Sequence, residues 1–390
     1  MEDHEQSIAS EPAPDAARHR RLAALRSAKR ILARPAVDRT LADSLDRLMR
    51  RAPEVYDLAQ NSDVYGDSIV EELERRVAVQ LGAEDAAFFP TGTMAQQIAV
   101  RVWADRTGNR TVALHPLSHP EQHERDAFSV VSGLRTVHPT TERRLPTAEE
   151  IQDFDEPFGA LMLELPLREA GFVLPSWQEL VDVVAAAREK DAVVHFDGAR
   201  LWECTPHFGR PLSEIAALAD SVYVSFYKSL EGFGGAALAG PGSFVSEAKA
   251  WRHRYGGQIF QQHPTVLSAL IGLDQELPRL PSYVAHARRV AKALREGFGA
   301  ASLPFFRVHP ETPHTHQFQV WLPYEASVLD EASVLQAEQT GVALFRRWFA
   351  GEIPGTSVTE VTVSGPGLEW SEEEVRAAAL DFVNRLSAGR

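Results

Sequence analysis

Lys228 lies in Ser225-Phe226-Tyr227-Lys228-Ser229-Leu230-Glu231-Gly232-Phe233-Gly234-Gly235, directly after the apolar run Ser221-Val222-Tyr223-Val224. A lysine at the end of a strand and ahead of a glycine-rich turn presents an amine to a bound carbonyl compound. Upstream, His195-Phe196-Asp197-Gly198-Ala199-Arg200 reads as a buried strand that ends in a carboxylate. One amine and one carboxylate at neighbouring strand tips are what pyridoxal phosphate needs. The lysine forms a Schiff base, and the aspartate keeps the pyridine nitrogen protonated so that the ring accepts electrons. Alone, Lys228 reads more readily as a solvated loop lysine. Asp197 tips the balance.

A phosphate needs donors, and Phe89-Pro90-Thr91-Gly92-Thr93-Met94-Ala95 offers a helix N-terminus with free N–H groups. Gly92 allows close backbone approach and Thr93 adds a hydroxyl, although Thr-Gly-Thr is also an ordinary turn with an N-cap. Ser225, three residues before Lys228, is a second phosphate contact or a serine capping a strand end. His115, His119 and His123 recur every four residues with Glu121 and Glu124 nearby. Pro116 and Pro120 interrupt a helix there, so the three rings are not expected to share one face, and no metal site is expected. One of these rings is expected to stack on the cofactor. His314 and His316, at a strand start, read as solvent-facing.

The elements that position these residues alternate as in a mostly parallel α/β sheet. Strands are expected over Ala86–Phe89, Thr111–Leu114, Phe158–Leu165, Val193–Asp197 and Ser221–Ser225. Helices are expected over Glu71–Leu81, from Thr91 to about Ala104, and over Trp177–Lys190. Three regions follow: an N-terminal arm over 1–55, a large cofactor-binding domain over 56–280, and a small C-terminal α+β domain over 281–390. Within the arm, residues 1–15 are expected to be disordered, Arg18–Arg34 helical up to a stop at Pro35, and Thr40–Arg51 a second helix. The arginine-rich stretch is expected to pack on a partner subunit, with an anion-binding arm as the other option. The small domain carries a helix over Tyr283–Phe298, strands over Gln317–Leu322 and Val358–Val363, and a last helix over Ser371–Ala388.

The chain has 390 residues, 44 % of them hydrophobic, enough for one large or two moderate folded domains. A net charge of −14 argues against nucleic-acid or anionic-membrane partners. Cys204 is the single cysteine, which excludes an intramolecular disulfide and any multi-cysteine metal site. No secretory signal or membrane-length apolar stretch is visible, so a cytoplasmic location is expected.

Four ordered motifs resemble the threonine aldolase (β-eliminating lyase) family of fold-type-I pyridoxal phosphate enzymes. They are Val64-Tyr65-Gly66-Asp67, Phe89 to Thr93, His195 to Leu201, and Ser225 to Lys228. The resemblance implies an aspartate-aminotransferase-like large domain and a homodimer or homotetramer with its sites at subunit interfaces. It makes Lys228 the Schiff-base lysine and Asp197 the pyridine partner. Gly92, Thr93 and Ser225 become phosphate contacts, and His119 becomes the ring stacked on the cofactor. Arg200 becomes the binder of the substrate carboxylate, its alternative being a pair with a surface acid such as Glu203. Tyr65 becomes a site-lining residue that reaches toward a neighbouring subunit.

The chain departs from the family pattern in three places. Ala59-Gln60-Asn61-Ser62-Asp63 only echoes the family's Arg-Ser-Asp-Thr stretch. Leu163 to Gly171 lacks the family's second histidine, and a carboxylate-binding C-terminal arginine is replaced near Thr359 and Glu360. The implied reaction is cleavage of a threonine-like β-hydroxy-α-amino acid to glycine and an aldehyde. Its base would be His119, or a water held by His123 or Glu124. β-Elimination or amino transfer on the same scaffold are alternatives, and a non-catalytic protein of this fold is a further one.

Overall fold

A computed structural model describes residues 14–34, 39–301 and 303–388. Its centre is a seven-stranded sheet in the order Asp85–Phe89, Ala236–Gly240, Ser221–Ser225, Val193–Gly198, Ala160–Glu164, Thr111–Ala113, Arg135–Val137. Ala236–Gly240 runs antiparallel to both of its neighbours, and the other pairs are parallel. Short apolar sequences such as Ala-Leu-Met-Leu-Glu suit this sheet, because helices cover both faces and leave no side for water.

Register decides where the chemistry falls. Glu164 pairs with Asp197, and Asp197 pairs with Tyr223, so three adjacent strands bring their polar ends to one edge. The C-terminal edge of a parallel sheet is where such folds open a crevice. The helix Gly92–Thr107 starts beside it, its Met94 N–H capped by the Thr91 hydroxyl at 3.3 Å. It ends at Gly108, which takes the left-handed conformation that glycine tolerates.

A second, four-stranded antiparallel sheet in the order Phe349–Ala350, Ser357–Thr362, Gln317–Leu322, Arg307–His309 lies under the helices Leu280–Ala300 and Glu372–Ala388. Phe298, Phe318, Phe345, Trp348 and Phe382 fill its core. The short strands Arg307–His309, Phe349–Ala350 and Arg135–Val137 have too few residues to announce themselves by alternation.

The N-terminal arm differs from expectation. The first helix runs over Pro14–Ser27 rather than to Arg34, and Arg30–Ile31 then pairs in parallel with Val342–Ala343. Tertiary pairing overrides helix propensity here, because Ala24, Leu25, Ala28 and Ile31 bury against Val334, Ala337 and Ala343 of the C-terminal body. The second helix, Leu41–Val55, packs instead on His263–Gln275 of the large body. The arm is therefore shared between the two. The disorder expected over 1–15 falls largely outside the described residues, although Pro14 and Asp15 begin a helix; the stop at Pro35 lies wholly outside them.

Candidate cofactor site

The sheet edge and the start of Gly92–Thr107 line a narrow cavity. Gly92, Thr93 and Gln96 face it from the helix, His119 and Glu124 from the loop side, and Asp197, Tyr223, Tyr227 and Lys228 from the strand ends. Six of the residues singled out in the sequence thus meet in one place: Gly92, Thr93, His119, Glu124, Asp197 and Lys228.

Asp197 is 2 % exposed, and its Oδ1 accepts the Ala199 N–H at 3.1 Å. Burial raises its pKa, partly offset by the charges of Lys228 and His119. Glu164, beside it in register, is also buried and is raised by desolvation and by Asp197. The Glu164 carboxylate accepts the His119 N–H at 2.7 Å and the Arg168 N–H at 3.2 Å. Two carboxylates sharing a dry corner lack positive charge, because each penalises ionisation of its neighbour.

Lys228 supplies some of that charge. Desolvation and then Arg200 pull its pKa down from 10.5 to about 8, against the opposing pull of Asp197 and Glu164. A free amine therefore becomes available near neutrality. Capture of added pyridoxal phosphate by the cofactor-free protein should accelerate with pH and level off above about 8, the pKa of Lys228. A stopped-flow absorbance series across pH checks this; a rate still climbing through pH 10 contradicts it.

His119 Nδ1 lies 3.3 Å from Glu124 Oε1, which leaves Nε2 for the cavity. Gln96 Oε1 accepts from His195 Nε2 at 2.8 Å, while its own buried Nε2 has no partner. An orphaned donor beside the helix N-terminus, a low-pKa amine and a carboxylate corner short of a cation match a phosphate, an aldehyde and a protonated pyridine nitrogen. The residues fit pyridoxal phosphate.

Other residues sit differently. The Ser225 hydroxyl, fully buried, donates to Ala199 O at 2.7 Å and does not line the cavity. Gly92 does permit a close approach, but to protein: a Cβ there would lie 2.2 Å from Tyr223 Oη. Tyr65 is 54 % exposed, its ring edge-on to Phe260. Arg200 does not line the cavity; its guanidinium lies 5.3 Å from the Phe172 ring.

The alternative Arg200–Glu203 surface pair does not form, since Glu203 is fully buried and lies 2.8 Å from His316. His316, expected to face solvent, is 3 % exposed because it comes from the small body and packs against Glu203 of the large one. Pro120 does not interrupt a helix but opens one, His119–His123, in the first turn where its missing N–H costs nothing. His119 and His123 consequently stand 5.2 Å apart, with His123 turned to Glu169 at 2.8 Å. His115 lies apart, its ring held by the Glu142 carbonyl at 2.6 Å.

Glu164, Gln96, Tyr223 and Tyr227 carried no signal of their own in the sequence. Strand alternation alone could have flagged Glu164, a lone charge ending an otherwise apolar run. Two departures from the family pattern also meet in space: Arg168 Nε lies 2.8 Å from Glu360 Oε1.

Comparison with known proteins gives a consistent picture. The family model described as "Beta-eliminating lyase" matches residues 42–312. Low-specificity L-threonine aldolase 1 of Arabidopsis thaliana is 28 % identical over 304 residues, 73 % of this chain and 81 % of that protein. The crystal structure of a putative L-allo-threonine aldolase from Listeria monocytogenes superposes with TM-score 0.84 at 32 % identity, covering 95 % of this chain and 99 % of that one. Serine palmitoyltransferase with its pyridoxal phosphate shares the fold, with TM-score 0.63 at 18 % identity.

Proposed function

The chain belongs to the beta-eliminating lyase family, and from that premise we propose that it cleaves a β-hydroxy-α-amino acid of the threonine type to glycine and an aldehyde. It is a pyridoxal-phosphate-dependent lyase. The observation that carries the reading is the convergence of Lys228, Asp197 and His119 on one cavity. Pyridoxal phosphate, when bound, supplies the electron sink for the pair left when the Cα–Cβ bond breaks.

The chain's own groups do the rest. Lys228 would hold the cofactor and serve as proton carrier at Cα. Asp197, with Glu164 behind it, holds the pyridine nitrogen in its protonated form. Gly92, Thr93 and Gln96 receive the phosphate at the helix start. The Nε2 of His119, oriented by Glu124 through Nδ1, takes the proton from the β-hydroxyl. His123 and Ser225 support neighbouring groups in this scheme, His123 through Glu169 and Ser225 through Ala199.

Arg200 is the anchor for the substrate carboxylate. Its Nε is buried without a hydrogen-bond partner, and its charge depresses the Lys228 amine, which puts it within electrostatic reach of the reacting group. Arg200→Lys should raise KM about tenfold with a smaller loss in kcat, because a point charge cannot replace a planar fork. Steady-state kinetics on threonine and a bulkier β-hydroxy amino acid measure this; an unchanged KM removes Arg200 from the role.

The division into an arm over 1–55, a cofactor domain over 56–280 and a small domain over 281–390 is the frame we favour. A homodimer or homotetramer is supported by Leu41, Leu45 and Met49, which leave one face of their helix exposed. Tyr65 would then approach a neighbouring subunit's cavity. No described helix is long and apolar enough to cross a membrane, and a cytoplasmic location accords with the lone thiol Cys204. Product analysis tests the reaction. Glycine plus an aldehyde supports it, whereas a 2-oxo acid with the full carbon skeleton, formed with free ammonia or with loss of the amine to a second substrate, overturns it.

A further inference from the structure

Among the buried charged pairs that the reaction scheme leaves unused is Glu203 with His316. Glu203 is fully buried at the end of the Leu201–Glu203 turn, three residues beyond Arg200. Its Oε2 lies 2.8 Å from His316 Nε2 and also receives the hydroxyl of Ser229, the residue after Lys228. His316, 3 % exposed, comes from the other body, just ahead of the Gln317–Leu322 strand. Its Nδ1 lies 2.7 Å from the Val363 carbonyl, which can only accept, so Nδ1 carries a proton. With Nε2 turned to a carboxylate, the ring is an imidazolium, and the two groups stabilise each other's charged forms. The directions agree: Glu203 is lowered, against its own burial, by His316, and His316 is raised by Glu203.

A pair of charges this dry contributes little net stability, since desolvation consumes most of the attraction. Its connections are more telling. Glu203 touches Ser229 directly, and the Trp202 indole beside it donates to Ser225 O at 2.8 Å, so both flanks of Lys228 hang on this turn. Around the pair stand Arg200, the buried thiol Cys204 and Tyr283, whose ring stacks on His316 at 6.0 Å. The Arg200 carbonyl accepts the Glu203 N–H at 3.2 Å, which ties the anchor's backbone to the same turn.

We infer that Glu203 and His316 are positioning residues: an ion pair across the two bodies that fixes the Ser229–Lys228 turn and holds Arg200 in place for the substrate carboxylate. The role depends on the site reading above, since it concerns the same amine and the same anchor. It predicts that the seating of the small body is transmitted to amino-acid binding through this one contact.

The test uses the cofactor-loaded protein and two sets of variants. Glu203→Gln keeps the volume and an acceptor for Ser229 but removes the charge. The double variant Glu203→Leu with His316→Phe removes both charges and leaves no unpaired one, so it should fold even where a single variant does not. Equilibrium titration with glycine, followed by the visible absorption of the bound cofactor, measures binding without turnover. Expected are glycine affinities about tenfold weaker in both variants, and KM for the amino-acid substrate raised by more than kcat falls. Folded variants with unchanged glycine affinity and KM would reduce the pair to packing and overturn the inference. Absence of any visible cofactor band in the unaltered protein would instead overturn the site reading itself.

Discussion

Lys228→Ala should eliminate turnover while leaving a folded protein. Two contributions vanish with the amine. The first is the covalent hold on the cofactor and its orderly transfer to the substrate. The second is the proton carrier at Cα, a role that accounts for about 10²–10⁴-fold by itself. The amine also supplies positive charge to the Asp197–Glu164 corner, so the variant leaves two buried carboxylates with less compensation. Both should then hold protons more firmly, which further weakens the grip on a pyridinium nitrogen. Borohydride treatment followed by peptide mapping should put the cofactor label on Lys228 in the unaltered protein and nowhere in the variant. The competing lysines are engaged elsewhere: Lys190 donates to Phe154 O at 3.0 Å, and Lys249 lies 2.9 Å from Glu74. A label on either would displace the whole assignment.

Asp197→Asn should keep the fold and lose most of the activity. The amide preserves volume and the contact to Ala199, so the backbone at the strand end has no reason to move. What disappears is the charge-assisted bond to the pyridine nitrogen, worth about 1.5–3 kcal/mol, or about ten- to a hundredfold. Glu164 complicates the outcome in a measurable way. Relieved of its charged neighbour, it should titrate lower than in the unaltered protein, because Asp197 is its second cause of elevation after burial. The sign follows directly: below its pKa Glu164 is neutral, and removing Asp197 moves that boundary to lower pH. Residual activity of Asp197→Asn should therefore begin at lower pH than a neutral Glu164 would allow. Near-normal kcat at every pH would show that the ring needs no acid at this position.

Local sequence determined a good deal of this protein. Strand, turn and helix signals repeat over spans of five to twenty residues, and each chemical group of interest sits at the end of one. Lys228 and Asp197 are recognisable because an ionisable residue closing an apolar strand is energetically conspicuous: it must reach an opening or be neutralised. Thr91-Gly92-Thr93 announces a helix start for equally local reasons, and the helix begins there. The alternating pattern sufficed for a mostly parallel sheet, because only helices on both faces let so many strands be apolar throughout.

Tertiary structure alone decided the partners. Glu164 joins the site through its register with Asp197, a pairing across separate strands that no window of sequence contains. Gly92 owes its lack of a side chain to Tyr223, a residue on the sheet beneath it. Arg168 and Glu360 are separated by most of the chain's second half yet form one ion pair, and His316 is buried only because a second body closes over Glu203. The physical reason is common to all four. Local pattern reports how much surface a residue shares with its own element, whereas desolvation and charge pairing depend on which distant element arrives to cover it. That arrival is set by sheet order and body packing, and it turns an ordinary glutamate or histidine into part of the site.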